Sequence, residues 1–124
     1  MMPRRTHYAK ACHKLGVMNQ YERDYAAYLD SRKAAGEIIA WYFESYRLIL
    51  GDSCTYTPDF AVIRADDVLE FHEVKGYWMD DAKAKLRMAA AKFPHPFIAV
   101  ERPRKKADRE NTPWIFTPYT KEAT

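Results

Sequence analysis

The strongest constraint on this chain is a pair of strand-like runs, Thr55 to Ile63 and Val68 to Lys75, placed on either side of the break Ala65-Asp66-Asp67. Both runs are rich in β-branched and aromatic residues and the break is turn material, so the spacing predicts an antiparallel hairpin. With Asp66 at the centre of a three-residue loop, Arg64 faces Val68. Counting outward from that pair brings Asp59 opposite Glu73, with Cβ atoms roughly 4.5–5.5 Å apart. Side-chain alternation gives Leu69, Phe71, Glu73 and Lys75 a common face, matched on the partner run by Asp59, Ala61 and Ile63. The apolar members then enter a core while Asp59, Glu73 and Lys75 emerge at its rim.

Two adjacent carboxylates repel each other, and burial drives at least one toward its neutral form unless a cation compensates. A hard divalent ion does this, since Mg²⁺ takes carboxylate, carbonyl and water oxygens in an octahedron and keeps positions open for phosphate and water. Asp59, Glu73 and the backbone carbonyl of Val74 can supply half of such a shell. Lys75 can orient an attacking water and offset charge as a phosphoryl transition state develops. The plain alternative is an ordinary hairpin in which Asp59 caps a loop and Glu73 pairs with Lys75 in solvent.

The pair Pro58-Asp59 with Glu73-Val74-Lys75 resembles the PD-(D/E)XK nuclease superfamily. The longer string is similar to phage-type endonuclease I, the Holliday-junction resolvases: Tyr56-Thr57-Pro58-Asp59-Phe60, then Glu73-Val74-Lys75-Gly76, Trp78, Asp80-Asp81, a basic helix and Phe93-Pro94. The likeness spans about Tyr21 to Val100 and is strong from Tyr56 to Pro94. It implies an α/β fold with a restriction-endonuclease-like αβββαβ core, a mixed sheet flanked by helices. It also implies dependence on Mg²⁺ or Mn²⁺, a homodimer, and hydrolysis of phosphodiesters in branched DNA during recombination. The same motif serves flap, nick and restriction-type nucleases, and a nuclease-like fold can persist as a catalytically inactive DNA-binding module. Two close carboxylates with a lysine argue against the inactive form, which gains nothing from them.

The superfamily usually adds an acid from a helix ahead of the sheet, and Asn19 to Ala35 reads as that helix. Asn19 is suited to the N-cap, Tyr21, Tyr25, Tyr28 and Leu29 recur at helical spacing as a buried stripe, and Gly36 marks the stop. Glu22 borders the stripe and matches the position of the resolvase glutamate, so the expected acidic and metal-binding set is Glu22, Asp59 and Glu73. Its other role is to complement the helix dipole. Glu37 and Glu44 are the alternatives for the third acid, with Glu44 inside the run Ile38 to Leu50, the expected first strand. His72 alternates to the face opposite Glu73, to pack there or meet solvent.

Downstream, Asp80 or Asp81 can cap a helix to about Lys92 with Ala82, Leu86, Ala89, Ala90 and Phe93 as its apolar face. Lys83, Lys85 and Arg87 lie on its other face as candidate phosphate contacts or as a solvated surface. Pro94-His95-Pro96 ends this helix ahead of a strand from Phe97 to Val100. Trp78 either stacks on an opened base or seals the helix onto the sheet.

The net charge of +3 hides two clusters, Arg4, Arg5, Lys10 and Lys14, and then Arg102, Arg104, Lys105 and Lys106. Either can grip a DNA backbone or serve only solubility. A length of 124 residues with 48% hydrophobic residues predicts one domain, residues 19–124, behind a basic arm, residues 1–18. Nothing reads as a glycine-rich phosphate loop, so no nucleotide cofactor is expected. Cys12 and Cys54 have no zinc spacing and no disulfide is expected. With no signal peptide or membrane span, the expected location is the cytoplasm, that of a bacterial host for a phage-encoded protein.

Overall fold

The computed structural model describes residues 16–75, 80–106, 108 and 113–119. The elements run α1 (Gln20–Ala34), β1 (Ile38–Phe43), β2 (Leu48–Gly51), β3 (Cys54–Tyr56), β4 (Phe60–Arg64), β5 (Leu69–Lys75), α2 (Asp80–Lys92), β6 (Phe97–Glu101) and β7 (Ile115–Tyr119). The protein is α/β, with a mixed five-stranded sheet in the order β1-β4-β5-β6-β7 and a separate two-stranded sheet of β2 and β3. Among the described strands only β5 and β6 are parallel, and α2 makes the crossover such a pair requires. Among the described residues no helix is long and apolar enough to cross a membrane.

The central hairpin has the register expected of it. Phe60 pairs with His72, Ala61 with Phe71, Val62 with Glu70 and Ile63 with Leu69. Arg64 N–H donates to the Val68 carbonyl at 2.9 Å, and Asp67 closes the three-residue loop in the left-handed region at φ 69°. Alternation then sends successive residues into two cores. Phe60, Val62, Val74 and Val100 pack with Tyr25, Leu29, Ile38 and Trp114 on the α1 face. Ala61, Phe71, Phe97 and Ala99 pack with Tyr56, Leu86, Ala89 and Ala90 on the α2 face.

α1 begins in a full capping box. Asn19 Oδ1 accepts from Glu22 N–H at 2.8 Å, and Glu22 Oε1 accepts from Asn19 N–H at 2.9 Å. It stops where Gly36 turns left-handed at φ 80°. Its stripe differs from the expected one. Tyr21 is exposed and Tyr28 only partly buried, while Glu22 and Ala26 join Tyr25 and Leu29 inside. Small Ala26 lets the helix sit close to the sheet, whereas Tyr21 lies one position off that face.

Two expected strands are each broken in two. The run Ile38 to Leu50 ends at Phe43 because Glu44 turns left-handed at φ 47° and donates its N–H to the Asp59 carbonyl at 2.8 Å. The run Thr55 to Ile63 is interrupted at Thr57 to Asp59, because Pro58 has no N–H with which to extend the ladder. Its first part pairs with β2 instead, so β2 and β3 form a hairpin packed on α2. Met18 packs on the α1-face core and Gly16 N–H donates to Glu44 Oε1 at 2.7 Å, so contact with the core extends ahead of residue 19. Asp81 lies inside the first turn of α2 rather than at its cap.

Candidate active site

In the alternating pattern set by the bonded pair Arg64 and Val68, positions 60/72 and 58/74 should also exchange backbone hydrogen bonds, and 59/73 should not. Side chains approach most closely at a non-bonded pair, which is where Asp59 and Glu73 fall. At 58/74 the proline cannot donate. Val74 N–H donates instead to Asp59 Oδ2 at 2.9 Å. The N–H and C=O of one extended residue point to the same side, so the Val74 carbonyl also faces the Asp59 strand and meets no backbone donor from Pro58.

The carboxylates are fixed reciprocally. Glu73 Oε1 accepts from Asp59 N–H at 3.2 Å and from the Tyr56 hydroxyl at 2.7 Å, while Glu73 Oε2 pairs with Lys75 Nζ at 3.1 Å. The oxygens not held by backbone are therefore Asp59 Oδ1 and Glu73 Oε2. Both residues are buried, at 5% and 6% exposure, while the Lys75 side chain retains 33%. Burial pushes Asp59 well above the usual carboxylate range, the Glu73 charge pushes it further, and Lys75 and the Val74 N–H only partly offset this. Burial pulls the Lys75 ammonium down, but Glu73 and Asp59 outweigh it and its pKa is raised. Lys75 is thus a cation paired with Glu73 and further favoured by the nearby Asp59.

Glu22 is buried at 2% exposure on the α1 side. Its charge adds a lesser upward push to both Asp59 and Lys75, smaller in size than the effects of burial and of the neighbouring carboxylates. One of its oxygens is committed to the helix cap. The other two acids are directed elsewhere: Glu37 Oε1 pairs with Arg32 Nε at 3.0 Å, and Glu44 binds Gly16. Among the described residues no three His, Cys, Asp or Glu side chains gather closely enough to hold an ion by themselves. Two carboxylates and a carbonyl still match what Mg²⁺ takes from a protein, because it keeps several waters and is bound through one or two carboxylates plus substrate phosphate.

α2 lies on the same sheet face as Asp59 and Glu73. Lys85 Nζ donates to the Thr55 carbonyl at 3.3 Å, Lys83 is half-buried, and exposed Arg87 lies 5.9 Å from the Tyr119 ring centroid. Arg102 has a structural engagement, pairing with Asp24 at 3.3 Å and lying 5.0 Å from the Trp114 ring centroid. Arg104, Lys105 and Lys106 are exposed. Arg4, Arg5, Lys10, Lys14 and Trp78 lie outside the described residues.

On the opposite face His72 is fully buried between Tyr25 and Glu70. Its Nδ1 lies 2.6 Å from the Tyr25 hydroxyl and its Nε2 2.7 Å from Glu70 Oε2. Two buried polar arrangements were not legible in the sequence, this Tyr25–His72–Glu70 chain behind the sheet and the Tyr56 hydroxyl beside Glu73. For Tyr56 the usable signal was its place three residues before Asp59. No family model, curated protein or solved structure matches the chain.

Proposed function

We propose that this protein is a Mg²⁺-dependent endodeoxyribonuclease that hydrolyses phosphodiester bonds in branched DNA, with the four-way junction as its foremost substrate. The observation that carries the reading is the reciprocal clamp of Asp59 and Glu73 at a non-bonded strand pair, with Lys75 beside them. A buried pair of this kind has a chemical use when a divalent cation joins it. Asp59, Glu73 and the Val74 carbonyl would hold Mg²⁺ (or Mn²⁺), and Glu22 would complete the acidic set. When bound, the ion would neutralise the two carboxylates and polarise the phosphate. Lys75, freed from Glu73, would orient the attacking water and lower the cost of charge on the phosphoryl oxygens.

The basic residues of α2 would meet the DNA backbone, which favours recognition of shape over base sequence. Junction specificity and a homodimer rest on the resemblance to phage-type endonuclease I, since resolution requires two symmetry-related cuts and hence a two-fold pair of sites. The test is Mg²⁺-dependent cleavage of a labelled four-way junction, a flap, single strands and plain duplex, with Lys75→Ala and chelated controls. Paired symmetric cuts confined to the junction are expected. Cutting of flap or duplex would reassign the substrate, and binding without cutting would overturn the enzymatic reading.

A further inference from the structure

Tyr56 has no part in the chemistry above, yet its hydroxyl donates at 2.7 Å to one oxygen of Glu73, and both residues are buried. Its ring belongs to the α2-face core with Phe71 and Leu86. Together with Asp59 N–H the Tyr56 hydroxyl occupies Glu73 Oε1, while Oε2 has only the partly exposed Lys75 ammonium against it, at 3.1 Å.

This rests on the metal-dependent reading. We infer that Tyr56 is a positioning residue that restricts Glu73 to one-oxygen metal coordination and thereby biases the site toward Mg²⁺ over Ca²⁺. Mg²⁺ requires a near-ideal octahedron of single oxygens, which a carboxylate with one oxygen held aside can provide. Ca²⁺ takes six to eight oxygens and readily uses a carboxylate through both. Removing the hydroxyl would leave Oε1 with the single, longer bond from Asp59 N–H, and let Glu73 rotate toward two-oxygen coordination. Outer partners that orient a ligand typically change metal affinity by about 10–100-fold when lost.

The experiment compares wild-type protein with Tyr56→Phe, which keeps the core ring, by calorimetric titration with Mg²⁺ and Ca²⁺ separately. Tyr25→Phe serves as the control, since it removes a buried hydroxyl from the opposite face. The expected result for Tyr56→Phe is a Mg²⁺ Kd weakened by about tenfold with the Ca²⁺ Kd unchanged or tighter, and for Tyr25→Phe an unchanged ratio. Metal-induced shifts in Tm give the same ratio from the folded fraction if the variant is less stable. An unchanged Mg²⁺/Ca²⁺ ratio in Tyr56→Phe, or equal weakening for both ions, overturns the role of Tyr56. Absence of metal binding by the wild-type protein would instead overturn the metal-site reading itself.

Discussion

Asp59→Asn separates the metal-site reading from a purely structural one. Burial and Glu73 raise the Asp59 pKa in the folded protein. A group that holds its proton more tightly when folded costs stability as pH rises from the unfolded aspartate pKa through the folded one, and that stability stays lost above it. Asparagine keeps the shape and an oxygen for the Val74 N–H but carries no charge. A buried ion costs several kcal/mol of desolvation. The Lys75 attraction and the charge-assisted character of the Val74 bond offset about 2–4 kcal/mol of this. The net expectation is that the metal-free variant is more stable by about 1–2 kcal/mol at neutral pH, or about 3–10 °C in Tm for a domain of this size. The gain should shrink toward nothing near pH 4, about the unfolded aspartate pKa, where Asp59 is protonated and as neutral as the asparagine that replaces it. Mg²⁺ at about ten times its Kd stabilises the wild type by about 1.4 kcal/mol and should do nothing for Asp59→Asn. Thermal melts across this pH range, with and without Mg²⁺, supply all four curves. A variant that melts below the wild type at neutral pH, or that keeps the Mg²⁺ shift, would refute the reasoning.

Glu22→Gln should leave the unfolding free energy within about 0.5 kcal/mol of wild type, because glutamine also closes a capping box. It should slow cleavage at least about tenfold if Glu22 serves the site, and equal rates at saturating DNA would confine Glu22 to the cap. Lys75→Ala should reduce single-turnover cleavage by about 10²–10³-fold with junction affinity preserved in a gel-shift assay. Because Asp59 must shed its proton to bind metal, raising Mg²⁺ should move the acid limb of the rate profile to lower pH, and a limb that ignores Mg²⁺ would contradict the assignment. Pro58→Ala introduces an N–H opposite Val74, and titration should show weaker Mg²⁺ binding as that hydrogen bond takes the carbonyl.

Much of the geometry around Asp59 and Glu73 was legible because the hairpin sets its own register. Strand propensity, a three-residue loop and period-two alternation together placed Asp59 against Glu73 and sent Phe71 inward. The limits of the strands were harder to read, since Ile38 to Leu50 and Thr55 to Ile63 look continuous by composition. Their breaks depend on particular backbone events, the left-handed turn at Glu44 and the missing donor at Pro58. The stripe of α1 misled for a different reason. Tyrosine tolerates the surface, so a run of tyrosines at helical spacing does not say which one faces out. The tie between Tyr25 and His72 spans 47 positions and has no local signature.

The contrast between the two faces of β5 bears most directly on function. Glu70 and Glu73 are equally buried on this strand, each at 6% exposure. Glu70 has a full set of partners. Burial pulls its pKa up, but the His72 bond and the nearby Arg64 guanidinium, 3.5 Å away, outweigh this and its pKa is lowered. His72 Nε2 lies 2.7 Å from Glu70 Oε2 and Nδ1 lies 2.6 Å from the Tyr25 hydroxyl, so both ring nitrogens have polar partners. Across the sheet, Asp59 and Glu73 share one lysine, and Asp59 remains raised despite it. The same few residues of sequence thus neutralise one buried carboxylate and leave another with too little positive charge. A buried carboxylate left in that state beside a satisfied counterpart is what the proposed metal site would account for, since a cation supplied from outside would restore the balance of charge.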